Sequence, residues 1–288
     1  MEQPSLAAVP LAAVDVPNWG MLSLGELREE GHFSSTHHAT ITTAGTSPPA
    51  SIKLVVKRSL ITKDNVTLED ERSVMERLLV QADRHAHLLD ICFIHASDPV
   101  IFFAYHPWGD ASLATVLQER GPLAPATVRD YILQTANALG YLHALYIMHR
   151  DVTAETVTTD GSGHVKLTGF DFACPHARAS GLRGTPESMA PEMLLQVDLP
   201  SGYTAAVDWW SLGCLTVRLL TGQQPFAEAE LPRLLRKIIH EPIILPEHPH
   251  LGPPEARFIH ALLERSPEAR LGTQGGHISV LRHAWLVM

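Results

Sequence analysis

A chain of 288 residues with 45% hydrophobic and 18% charged side chains is long enough to bury a substantial core, as one large domain or as two unequal lobes around a cleft. Its formal net charge of -9, from 22 Lys+Arg against 31 Asp+Glu, argues against nucleic acid or an anionic membrane surface as the main target. No run approaches the ~20 apolar residues that span a bilayer, and Cys92, Cys174 and Cys214 lie far apart without metal-ligand spacing, which makes a reduced intracellular, cytoplasmic setting the default.

Residues 1–18 are rich in Ala, Pro and Val without helical period and read as a flexible lead-in. The apolar run Leu6 to Val14 is short, broken by Pro10 and preceded by Glu2 rather than a basic stretch, so it makes a poor signal peptide. From Met21 to Val56, short β-branched runs alternate with Gly, Ser and Thr turns, and three antiparallel strands are expected. A helix follows, with Thr67 placed to cap it and Asp70 three residues on as a weak capping box. In that helix Leu68, Glu71, Met75 and Leu78 recur at steps of three, four and three, so they share one face. A carboxylate in an apolar stripe needs a cation, and Lys57, which closes the strand LVVK, is the candidate. The bland alternative is that Glu71 is a solvated edge residue. Leu88 to His95 and Pro99 to Tyr105 read as two more strands.

Beyond Asp110 the pattern turns helical. SLATVLQERG is a short helix ending at Gly121, and the next helix carries Val128, Ile132, Thr135, Leu139 and Leu142 as a buried seam. The stretch His149 to Asp171 has the form of a loop, an apolar strand, a Gly/Asp turn, a second apolar strand and a second loop. Two polar loops held side by side by a hairpin bring charged groups to one point. After a Gly- and Arg-containing loop to Glu192, Ala205 to Thr221 is apolar nearly all round and stopped by Gly222, which predicts a buried central helix. Amphipathic segments 228–240 and 254–264 follow. The seventeen histidines scatter, with only His37-His38 and His85/His87 close together, so surface and capping roles are expected rather than metal binding.

Over about residues 20 to 286 the chain resembles a protein kinase domain. The strand lysine in LVVK, Glu71 on the following helix, YLHALYIMHRD, GTPESMAPE, VDWWSLGCLTVRLLTGQQPF and RSPEARLG occur in the family's order. Each alone is weak; their order and spacing are strong. The GTPE form, the DWWSLG helix and RLGTQGGHISVLRHAWL are most similar to the AGC group of Ser/Thr kinases. That group's C-terminal tail has no counterpart before Met288. The resemblance implies an α+β, bilobal kinase fold, with residues 19–106 as a small five-stranded β lobe with one main helix and 107–288 as a larger, mostly α-helical lobe.

The resemblance also assigns roles, and it exposes departures. Asp151 of His149-Arg150-Asp151 stands at the base position that orients an acceptor hydroxyl. Gly31 and Phe33 match the nucleotide loop, and Lys57 with Glu71 matches the ATP-positioning pair. Glu29 and Ser34 replace the loop's other two glycines, Thr36 its valine, Val55 the small residue that admits adenine, and Phe103 stands at the gatekeeper. The γ-phosphate lysine is Thr153, and the asparagine that ligates a second metal is Thr156. KLTGFD is written where KLTDFG is expected: Gly169 replaces the metal-bridging aspartate, and Asp171 is the one substitute ligand, at a turn that favours glycine. Phe170 is expected to pack against Met75 and His149. Glu192 should pair with Arg270, and Asp208 should tie the central helix to the 149–151 backbone. The activation-loop threonine is Gly181, with Ser180 adjacent.

These departures point to a catalytically inactive pseudokinase that scaffolds or allosterically regulates a protein partner, an active kinase or other signalling component among the candidates, without ATP or Mg2+. The alternative is a divergent, weakly active Ser/Thr kinase using ATP and Mg2+ through Lys57, Asp151 and a relocated Asp171. Transfer of a different nucleotide-derived group is a third reading.

Overall fold

The computed structural model describes residues 6, 13–31, 33–43, 50–109, 111–195 and 202–288. The chain divides into two compact units, Met1–Arg84 with Leu89–Pro107, and His85–Leu88 with Trp108–Met288.

The first unit is built on β1 (Val14–Val16), β2 (Gly20–Glu30), β3 (Ser34–Thr42), β4 (Ser51–Leu60), α1 (Leu68–Leu79), β5 (Ile91–Ser97) and β6 (Val100–Tyr105). The strands form one antiparallel sheet in the order β1-β2-β3-β4-β6-β5. Successive side chains along a strand point to opposite faces. In β4 the face that carries Lys57 turns to α1, because Lys57 reaches Glu71 there. The other face carries Leu54, Val56, Arg58 and Leu60, and it is covered as well. Leu22, Ile41, Leu54, Val56, Leu60, Phe93 and Phe102 are buried in a cluster that includes Leu6 and Val16, with Val14 and Trp19 packed against it. Arg58 is anchored within this layer: Nε donates to Ser35 Oγ at 2.9 Å and Nη2 to the Leu6 carbonyl at 3.2 Å.

Two details differ from expectation. The sheet has six strands rather than five, because Val14–Val16, inside the segment read as a flexible lead-in, pairs with β2 through Val14 to Leu22 and Val16 to Gly20. Asn18 at φ 67° and Gly20 at φ 115° make the reversal possible. Residues 1–5 and 7–12 of that lead-in lie outside the described residues. Thr67 precedes α1 but does not cap it: its own backbone is helical (φ -96°, ψ -12°) and its hydroxyl makes no capping bond. The first turn is instead led in by backbone bonds, Leu68 N–H to the Asn65 carbonyl at 3.3 Å and Glu71 N–H to the Thr67 carbonyl at 3.0 Å.

The second unit contains β7 (Ala111–Ser112), α2 (Leu113–Arg120), α3 (Pro125–Ala144), β8 (Val157–Thr159), β9 (Val165–Leu167), α4 (Pro191–Leu194), α5 (Ala206–Thr221), α6 (Leu231–His240), α7 (Pro253–Leu262) and α8 (Gly276–Leu281). β7, β8 and β9 form a small antiparallel sheet. Ser112 caps α2 by accepting from the Thr115 N–H at 3.1 Å. The α3 seam of Val128, Ile132, Thr135, Leu139 and Leu142 is buried throughout. Every residue of α5 except Arg218 is buried, and Gly222, at φ 72°, ends the helix with its N–H on the Arg218 carbonyl at 2.8 Å. Among the described residues, no helix is long and apolar enough to cross a membrane.

Candidate functional site

In the first unit, Lys57 Nζ donates to Glu71 Oε1 at 2.6 Å with both side chains buried. β4 presents the lysine and the buried stripe of α1, with Leu68, Val74 and Met75, presents the carboxylate. Burying either charge alone would be costly, so the pair is a condition of packing α1 on the sheet. The register sets Val55 opposite Tyr105 and Lys57 opposite Phe103. Gly31 and Phe33 occupy the turn between β2 and β3, whose middle residue, His32, lies outside the described residues. The Gly31 N–H is spent on the Ser34 carbonyl at 2.7 Å, and the Phe33 carbonyl accepts the Leu60 N–H at 2.8 Å. A phosphate-cradling loop needs its backbone amides turned outward. At Gly31 the turn uses that amide to close itself.

In the second unit, β8 and β9 form the expected hairpin. Asp160 shapes its turn by accepting the Ser162 N–H at 2.9 Å and hydroxyl at 2.7 Å. Gln134 of α3 clasps the hairpin, accepting the Val165 N–H at 2.8 Å and donating to the Gly163 carbonyl at 2.9 Å. The flanking loops are stitched together where Thr168 donates its N–H to the Thr156 carbonyl at 2.7 Å and its hydroxyl to the same oxygen at 3.0 Å.

The loop containing Asp151 hangs from α5. Asp208 accepts the His149 N–H at 3.0 Å and the Arg150 N–H at 2.7 Å. His143 Nε2 also donates to Asp208, at 2.8 Å. Burial pushes the Asp208 carboxyl up, but the hydrogen bond and charge of His143 bring it below the usual carboxylate range. His149 is fully buried: Nε2–H donates to the Thr168 carbonyl at 2.8 Å, Nδ1 accepts the Asp151 N–H at 3.3 Å, and Phe170 packs against the ring at 5.0 Å. Burial holds this imidazole below its ordinary pKa, hence neutral. Asp151 Oδ1 accepts the Thr185 N–H at 2.9 Å. Burial raises the Asp151 carboxyl, with Thr185 opposing and the nearby charge of Asp171 reinforcing.

Of the positions where the resemblance expects metal ligands, 156 and 169 offer no carboxylate or amide oxygen to a divalent cation. Gly169 offers no donor, and it sits at φ 71° where an added Cβ would lie 2.5 Å from Thr156 Cγ2. The Thr156 hydroxyl is turned inward, donating to the Asp151 carbonyl at 2.6 Å. A hard cation needs several oxygens aimed at one point, and here one position lacks a side chain while the other is bonded to its own loop. Asp171 lies in a 3-10 turn, Phe170–Phe172, close enough to Asp151 and His149 to act on both through its charge.

Two features escaped the reading of the chain. Arg150, at φ 65°, donates from Nε to the Phe172 carbonyl at 2.6 Å and from Nη1 to the Tyr203 hydroxyl at 3.2 Å. Tyr203 in turn donates to the Gly181 carbonyl at 2.9 Å and exchanges backbone bonds with Ala179. Arg218 is paired with Glu155 of the Asp151 loop. A lone cation in an apolar helix and a tyrosine after a glycine were the available signals, and neither names its partner. Arg270 donates to Glu192 at 2.6 and 2.9 Å, as expected.

A family model for the protein kinase domain matches residues 29–286. The chain is 26% identical over 280 residues to the serine/threonine-protein kinase Sgk2 of Homo sapiens, a match covering 96% of this chain and 69% of that protein. It is 29% identical over 229 residues to the serine/threonine-protein kinase YPK1 of Saccharomyces cerevisiae, covering 78% of this chain and 32% of that protein. Protein kinase 2 of Dictyostelium discoideum is 27% identical over 238 residues, covering 82% and 47%.

Proposed function

The chain belongs to the protein kinase domain family, and from that premise we propose that it is a pseudokinase, a kinase-fold module that scaffolds or allosterically regulates a protein partner, with an active kinase as one candidate. The observation that carries this reading is Gly169, where a metal-bridging carboxylate is absent and the space for its Cβ is taken by Thr156. Phosphoryl transfer is almost entirely positioning and charge neutralisation. Losing one preorganised stabilising group lowers a rate by about 10²–10³. Thr153, Thr156 and Gly169 together remove three such groups, so even with strong non-additivity ordinary turnover is out of reach. The pairs that hold the fold, Lys57 with Glu71, Glu192 with Arg270, and Asp208 with the 149–150 backbone, are all made. A chain that keeps its scaffold and lacks its metal ligands is suited to binding rather than turnover. Three free, buried cysteines agree with a reducing intracellular compartment.

One observation favours the rival, a divergent ATP-dependent Ser/Thr kinase: Asp171 lies close enough to Asp151 to influence its carboxyl. Thermal-shift titration of the full chain with ATP, alone and with Mg2+ or Mn2+, separates the two. The pseudokinase reading expects no metal-dependent stabilisation by ATP. A metal-dependent shift that Asp171→Ala abolishes, followed by autophosphorylation that Asp151→Asn removes, would establish the enzyme.

A further inference from the structure

The loop from Asp151 to Thr156 carries an exposed carboxylate, Glu155, and both of its oxygens are taken by a single guanidinium. Arg218 Nη1 donates to one oxygen at 2.8 Å and Nη2 to the other at 2.7 Å. Burial pushes the Glu155 carboxyl up, but the bonds and charge of Arg218, with a further bond from Thr153, bring it below its ordinary range, so it is ionised at neutral pH. This parallel two-bond geometry is the strongest form of cation–carboxylate recognition. The cation comes from α5, which is buried at every residue except this one. The one opening of a buried helix is therefore used to place a positive charge on the loop that carries Asp151.

Asp151 is bonded to the Thr185 N–H, and the segment leading to Thr185, residues 172–186, contains His176, Arg178 and Arg183 and no Asp or Glu. That run of cations is flanked by Asp171 and Glu187, and Asp171 acts on Asp151 through its charge; of the acids on the Asp151 loop, Glu155 is the one whose charge the chain itself neutralises.

We infer that Arg218 is a specificity-determining residue: its guanidinium fills, from within the chain, the carboxylate subsite on which an Arg or Lys of a peptide partner would otherwise land, and it closes this loop to basic segments. The inference rests on reading the Asp151 loop as the peptide-facing loop of a kinase fold, and it adds the class of partner that loop rejects. Removing the guanidinium frees a two-oxygen acceptor of the same geometry, and the site then takes an external guanidinium in its place. Substitution of Glu155 as well removes the acceptor.

The test is fluorescence anisotropy on the full chain, without nucleotide and at low salt. The probes are labelled Ala/Gln 15-mers with a central Ser and a single Arg stepped through the sequence, and the same peptides with Gln in place of Arg. Arg218→Gln keeps the stem of the side chain and removes its charge. It should bind at least one Arg peptide about fivefold or more tighter than the native chain does, with the gain lost in the Gln peptide, lost again at high salt, and lost in the Glu155→Gln/Arg218→Gln double variant. Arg218→Lys returns the cation without the two-bond fork and should restore the native preference in part, leaving Arg-peptide binding between that of the native chain and that of Arg218→Gln. Equal binding of the Arg peptides by the native chain and by Arg218→Gln, or no binding of any peptide by Arg218→Gln with native-like melting, overturns the inference. Because no nucleotide is present, that failure leaves the pseudokinase reading standing, and an ATP–metal shift would overturn that reading without touching this result.

Discussion

Gly169 and Thr156 are two departures from the kinase pattern that the backbone turns into one. An aspartate at 169 must adopt φ near 71° and place its Cβ 2.5 Å from Thr156 Cγ2. Gly169→Asp, the substitution that nominally restores a metal ligand, should therefore destabilise the chain by about 1–3 kcal/mol and restore no metal-dependent ATP binding. Thr156→Ser keeps the hydroxyl that donates to the Asp151 carbonyl and deletes the obstructing methyl. In a urea-denaturation double-mutant cycle, Gly169→Asp/Thr156→Ser should then lose less stability than the sum of the single variants, by about 0.5 kcal/mol or more; strict additivity would show that the two positions are independent. His149 makes a second residue-scale prediction. Its folded-state pKa lies below the ordinary value because burial disfavours the imidazolium. The unfolded chain therefore binds the extra proton first, and stability falls as pH drops below about 6.5 toward the folded-state value. His37, His85 and His283 are shifted the same way by burial. The melting temperature should decline from pH 7.5 to 5.5, and His149→Gln should flatten that slope without abolishing it.

Buried ion pairs join elements that apolar faces also pack together, and removing one partner of such a pair is more damaging than removing both. Arg270 is fully buried and joins Glu192 of α4 to the Ala206 carbonyl at the start of α5, at 2.9 Å. Arg270→Met strands a buried carboxylate and should cost about 3–5 kcal/mol, whereas Arg270→Met/Glu192→Met should recover much of that loss in chemical denaturation. A double variant no more stable than the single would mean that the pair does more than neutralise itself. Much of this layer was legible in the chain. Periodicity marked the α3 seam and the buried α5, a carboxylate in an apolar stripe asked for Lys57, and Gly222 marked a helix end. What was not legible needs geometry that local sequence does not carry. Thr67 looks like a cap, but a capping hydroxyl requires extended backbone, and the incoming chain arrives there already helical. Three-residue β1 is too short for alternation to announce it. Arg150 and Tyr203 meet across 53 positions, a distance no local pattern spans.

At the scale of the molecule, the first unit departs from a sheet with one helix on one face and water on the other. Its second face is apolar, and residues from the chain's beginning cover it: Leu6, Val14, Val16 and Trp19 lie on Leu22, Ile41, Leu54, Val56, Phe93 and Phe102, with Trp19 and Phe93 at 5.0 Å and the Leu6 carbonyl accepting from the buried Arg58. The kinase resemblance begins at about residue 20 and the family match at residue 29, so the cover precedes everything the family pattern describes. Fully burying a single Val or Leu side chain is worth about 1.5–3 kcal/mol, and Leu6 and Val16 are buried here, with Val14 and Trp19 partly so. Deleting residues 1–19 should therefore lower the urea midpoint by the equivalent of about 3 kcal/mol or more and expose an apolar patch that binds the dye ANS. Trp19→Ala, which leaves β1 and Leu6 in place, should lose less and bind less dye, while Arg58→Met should partly offset the deletion by removing a buried cation whose carbonyl partner has gone. Unchanged stability and no dye binding after the deletion would mean that the sheet's second face is sealed without the segment.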